Sequence, residues 1–159
     1  MNFTNSIAKQ FREVYLDGTW IATNLKKELQ DLSWEAAITK VGSLNTIAAL
    51  AFHLNYYLSG LIKVYKVGTL DIKDKYSFDL PPISSQDEWV SLQKDIWQNS
   101  EELAQLISAL PEKEIFAPFV EEKYGTNYRN ITGMIEHGYY HLGQIVILKK
   151  LIIEREENS

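Results

Sequence analysis

The 159-residue chain contains no cysteine, which excludes disulfides, thiolate metal sites and a cysteine nucleophile. That fits a reducing cytoplasm. Basic side chains are in the minority: 16 Lys and Arg against 21 Asp and Glu leave a net charge of −5. A broad nucleic-acid surface, which needs clustered Lys and Arg, is therefore not expected. No stretch reaches the roughly 18 uninterrupted apolar residues of a membrane span. The strongest candidate, residues 47–61, is interrupted by His53, Asn55 and Ser59. The segment from Met1 to Ala8 has no basic run followed by an apolar one, so no signal peptide is expected. Internal repeats and low-complexity blocks are also missing. The expectation is a single cytoplasmic domain over residues 1–159, long enough to bury a sizeable core, without nucleic-acid or membrane partners.

What is present is helical periodicity. The spacing of Ile7, Phe11, Val14, Gly18, Ile21, Leu25 and Leu29 predicts one helix from about Asn5 to Gln30. A connector follows, with a turn of helix near Trp34 to Ala37. A second helix, apolar almost all round, is expected from Ser43 as N-cap to about Val67, with Gly68 as its stop. Residues 69–85 read as a long connection, of a length that is usually functional or a crossover. Ser85 and Glu88 have the spacing of a capping box opening a third helix, which Pro111 ends. Residues 112–129 read as irregular, with a short extended piece at Phe116 to Val120. A fourth helix is expected from about Asn130 to Glu154. Four helices of about 22 to 26 residues with few strand signals predict an all-α four-helix bundle, with long connections between helices 2–3 and 3–4.

All three histidines of the chain fall on these helices. His137 and His141 are four apart in His-Gly-Tyr-Tyr-His, one turn from each other on one helix face. They share an apolar stripe with Met134, Ile145, Leu148 and Ile152, while His53 lies at the flank of the apolar face of the second helix. Three histidines plus an open position is the ligand set of catalytic zinc sites. A satisfied core histidine is the plainer alternative for any one of them. The metalloprotease signature is absent, because position 138 is glycine where a glutamate base is needed, and Glu136 would face elsewhere. Gly138 reads best as a packing notch that lets another segment approach closely. Gln144 and Tyr57 are placed to support the ligands or line a pocket, although packing would explain them equally well.

Several segments match a known pattern. His137-Gly138-Tyr139-Tyr140-His141-Leu142-Gly143-Gln144-Ile145 resembles the His-x-x-Tyr-His-x-Gly-Gln-Ile of the DinB-like (YfiT-like) metalloenzyme superfamily, small bacterial bundles. Ser43-Leu44-Asn45-Thr46-Ile47 leading into Ala51-Phe52-His53 is similar to the family segment that ends in its first ligand. Asp17-Gly18-Thr19-Trp20, followed by Leu25, Leu29 and Leu32, resembles a family glycine–tryptophan stretch. Pro81-Pro82 before Trp89 is similar to its third-helix opening. The resemblance implies a four-helix bundle, a homodimer as in many members, and a divalent metal, zinc or nickel, held by His53, His137 and His141.

It implies an activity less sharply. Some relatives are metal-dependent transferases using low-molecular-weight thiols such as bacillithiol or mycothiol, and one branch isomerises maleylpyruvate. The leading expectation is a thiol-dependent S-transferase acting on a small-molecule substrate. One alternative is a metal-dependent hydrolase, for which Glu121, Glu122 or Tyr56 would be general acid or base candidates. The other is a non-catalytic stress-response or binding module whose metal is structural.

Overall fold

The most apolar segment of the chain forms α4 (Ile47–Val67), whose buried residues include Leu50, Leu54, Leu58 and Leu61. By length and a mean hydropathy of 1.2 this helix could cross a membrane, but 61% of its most apolar window is buried by the rest of the protein. The structure is a computed structural model that describes residues 2–18 and 20–158, without the Glu156 side chain. Thr19 of the glycine–tryptophan stretch, and the two ends of the 1–159 range, lie outside the described residues.

Among the described residues the fold is all-helical. Besides α4 it has α1 (Phe3–Tyr15), α2 (Leu25–Leu29), α3 (Trp34–Ile38), α5 (Gln86–Ala109) and α6 (Asn127–Glu157), with three short 3-10 turns. α1 packs against α5 and α6, and α4 packs against the same two helices. Phe11, Tyr15, Leu54, Trp89, Ile96 and Leu103 are fully buried between them. Trp89 is held in place by an Nε1–H bond to the Leu32 carbonyl at 2.9 Å, which ties α5 to the segment after α2.

The single helix expected over residues 5–30 is in fact two. α1 closes at Leu16, whose N–H bonds to the Arg12 carbonyl, and Gly18 then takes φ +75°, a conformation that interrupts a helix. α2 restarts under its own cap, with the Asn24 side chain accepting from Lys27 N–H at 2.9 Å. Leu25 and Leu29 keep their core positions, so the apolar rhythm carries across a break that it does not report. The lengths are correspondingly unequal: α1 has 13 residues and α6 has 31.

The other boundaries moved less. α4 is capped by Thr46 rather than Ser43, its hydroxyl accepting from Ala49 N–H at 3.1 Å. Gly68 ends it at φ +77°, as its position suggested. Ser85 caps α5, and the Glu88 carboxylate reaches back chiefly to the Ser84 N–H and hydroxyl, with Ser85 contributing less. α6 starts at Asn127, earlier than expected. There Thr126 Oγ1 accepts from Arg129 N–H, and the Asn127 amide anchors the preceding loop through the Glu114 carbonyl. The extended piece proposed near Phe116 amounts to one isolated bridge, Pro118 with Thr126.

Residues 69–85 lie along α4 and not away from it. Gly60 makes this possible, because a Cβ there would stand 2.6 Å from the Ile72 side chain. Two adjacent tyrosines of α4 fasten the same segment. Tyr56 donates to the Lys73 carbonyl and accepts from its N–H, at 2.9 and 2.8 Å, and Tyr57 donates to Asp74 Oδ1 at 2.9 Å.

Candidate metal centre

His53 on α4 meets His137 and His141 on α6. One ligand-capable nitrogen from each ring lies within 4.8 Å of the other two, and the group includes no carboxylate. His53 Nε2 and His137 Nε2 are 3.0 Å apart. Two imidazoles bound to one tetrahedral zinc at the usual bond length stand roughly 3.3 Å apart. That pair is therefore already near a shared-ion spacing, and the ligand nitrogen of His141 lies within 4.8 Å of both. His53 is buried at 7% exposure, and Phe78 of the 69–85 segment covers it. The two rings stack at 4.0 Å between centroids with planes 12° apart.

The protonation chemistry suits ligation. Burial, and then the neighbouring His141, lowers the His53 pKa to about 4, against smaller upward pulls from the Ser77 backbone and Asp74. Burial, His141 and His53 likewise lower His137 to about 4. Burial lowers His141 as well, with the Gln144 hydrogen bond opposing. All three rings are thus neutral near pH 7, the form that binds metal. His141 Nδ1 lies 2.6 Å from Gln144 Oε1. With that N–H donating to the amide oxygen, the Nε2 lone pair is free to face the other histidines. His53 Nδ1 is buried without a hydrogen bond of normal geometry.

Gln144 therefore supports a ligand and Tyr57 lines a pocket, as the sequence suggested. The Tyr57 ring edge packs on His53 and His137 at 5.1 and 5.3 Å, while its hydroxyl is turned to Asp74. Gly138 is a notch for α1, since a Cβ there would meet Val14 Cγ1 at 2.7 Å. Glu136 is not part of the three-histidine group and pairs instead with Arg129 at 2.9 Å.

An open cleft of about 410 Å³ runs beside His137, with Tyr57, Tyr124, Arg129 and Met134 among its walls. A second hollow of about 330 Å³ touches Gln144, Leu44 and Ile147. Neither is lined by Glu121, Glu122 or Tyr56. Glu121 is paired with Lys123, and the Tyr56 hydroxyl is committed to the Lys73 backbone. Sequence reasoning missed Phe78 and Arg129. The only signal for Phe78 was the length of its connection, and nothing marked Arg129 apart from other surface cations. No protein-family model matches this chain, and neither the curated proteins nor the solved structures contain a significant match to it.

Proposed function

We propose that this chain is a divalent-metal-binding protein of the DinB-like kind, in which His53, His137 and His141 hold zinc or nickel. The reading that it is one domain, a four-helix bundle of α1, α4, α5 and α6 with long α4–α5 and α5–α6 connections, is supported by how those helices pack. The observation that carries the functional reading is the convergence of three neutral imidazoles from two helices with no acidic side chain in the group. A structural site would be closed by a fourth protein ligand. Its absence from this set, with a cleft at His137, favours an enzyme over a binding module.

Within that reading the best-supported chemistry is S-transfer from a low-molecular-weight thiol to a small electrophile. The thiol gives up its proton, its sulfur forms a bond to carbon, and the leaving group departs with the bonding pair. A divalent ion bound here would supply Lewis acidity and stabilise the thiolate. The protein's own part is to hold the imidazoles neutral, to fix the His141 tautomer through Gln144, and to shield His53 from water with Phe78. Hydrolysis is the weaker alternative, since its proposed acid–base residues do not line the cleft. The absence of cysteine accords with a cytoplasmic setting. A homodimer is supported by an exposed apolar stripe on α6, with Tyr140 64%, Ile147 60% and Leu151 36% exposed.

Elemental analysis of purified wild-type protein and of His141→Ala tests the centre. About one divalent ion per wild-type chain, with a large loss in the variant, is expected for three-histidine ligation. Equal metal content in the two would remove the central claim. Turnover is then assayed with bacillithiol, glutathione or coenzyme A and a model electrophile, with and without metal. Failure of every thiol would discard S-transfer while leaving the metal centre in place.

A further inference from the structure

We infer that the cleft beside His137 takes a ligand with a carboxylate tail, anchored by Arg129, whose other end reaches the histidine centre. This rests on the proposed metal site and adds a substrate class to it. Arg129 sits near the start of α6, yet its guanidinium does not point away from the centre. It lies along the helix toward His137, where a Cβ built on Gly133 would be 3.4 Å from Nη1 and 3.9 Å from Cζ. Gly133 and His137 are four residues apart on one helix face, a backbone rise of about 6 Å. Both line the same 410 Å³ cleft. Its remaining walls are mainly apolar or aromatic, from Tyr57, Leu61, Tyr124 and Met134, and would suit a short carbon chain.

The present partner of Arg129 is replaceable. Glu136 contacts Nη1 at 2.9 Å, and the two side chains are 61% and 65% exposed. Such solvated pairs contribute little, whereas a carboxylate in the cleft can use the planar guanidinium fork in two parallel bonds. The Asn130 amide does not compete for the ligand. Its Nδ2 is occupied by the Tyr124 and Thr126 carbonyls, which fixes the loop carrying Tyr124 at the cleft mouth. Of the charges next to the cleft walls, Lys123, over the Tyr124 ring, is paired with Glu121, and Asp74 accepts from the Tyr57 hydroxyl.

The test uses cobalt-loaded protein and two thiols of equal length, 3-mercaptopropionate and its neutral amide, titrated by the cobalt–sulfur charge-transfer band. The wild type should favour the carboxylate, and Arg129→Gln should lower the carboxylate-to-amide affinity ratio about tenfold, as loss of a charge-assisted contact implies. Arg129→Lys should fall between them. Glu136→Gln, which releases the guanidinium, should raise the ratio. A ratio that Arg129→Gln leaves unchanged overturns this inference while the metal site stands. Absence of any thiol-dependent band overturns this inference and S-transfer while the metal site stands, and absence of bound cobalt overturns the metal reading as well.

Discussion

Gly138 lies between the two α6 histidines and beneath α1, and replacing it with alanine puts two local effects in opposition. In an isolated helix the change gains about 1 kcal/mol of propensity. Here the new methyl would stand 2.7 Å from Val14 Cγ1 and 2.9 Å from Tyr15 Cε2 and Cζ. Both side chains are fully buried, so neither can swing into solvent. Overpacking of that kind costs about 1–3 kcal/mol. Displacing the Tyr15 ring also strains its hydroxyl bond to the Met134 carbonyl, 3.0 Å long and buried, which contributes about 1 kcal/mol. The clash outweighs the propensity gain, and Gly138→Ala should destabilise by about 1–3 kcal/mol. Gly143, five residues on in the same helix, is the control, because nothing stands within 4 Å of its would-be Cβ. Gly143→Ala should therefore stabilise by about 0.5–1 kcal/mol. Urea unfolding of the metal-free proteins, followed by far-ultraviolet circular dichroism, measures both. If Gly138→Ala proved as stable as Gly143→Ala, the close approach of α1 to the histidine helix would be refuted.

Two further outcomes are expected. In the metal-free protein, His53 and His137 titrate in the fold at about 4, whereas the unfolded chain takes up protons near 6.5. Their contribution to stability is therefore complete above about pH 6.5 and is lost as pH falls toward 4. The urea midpoint should drop between pH 7 and 5, and less so in a His53→Phe, His137→Phe double variant. An equal drop in both proteins would count against the buried imidazoles as its source. For the α6 stripe, Ile147→Lys should shift a wild-type dimer to monomer in sedimentation velocity. A wild-type chain that sediments as a monomer at every concentration disposes of the homodimer.

The local sequence was enough to identify the helical class, the caps at Ser85 and Gly68, and the pairing of His137 with His141. Each of these is set within a few residues, by side chains that satisfy helix-end groups or by the pitch of one helix. The break after Tyr15 was hidden because Leu25 and Leu29 re-enter the same core on a new helix, so periodicity continued where hydrogen bonding did not. The meeting of His53 with His137, 84 positions away, needed the packing of α4 on α6. No spacing rule encodes such a contact, since the fold that brings the two helices together depends on the whole core. Tertiary structure likewise placed Phe78 over His53 and laid the Arg129 side chain along the cleft. Both residues look ordinary in sequence, and they gain a role only from the side chains that folding sets beside them.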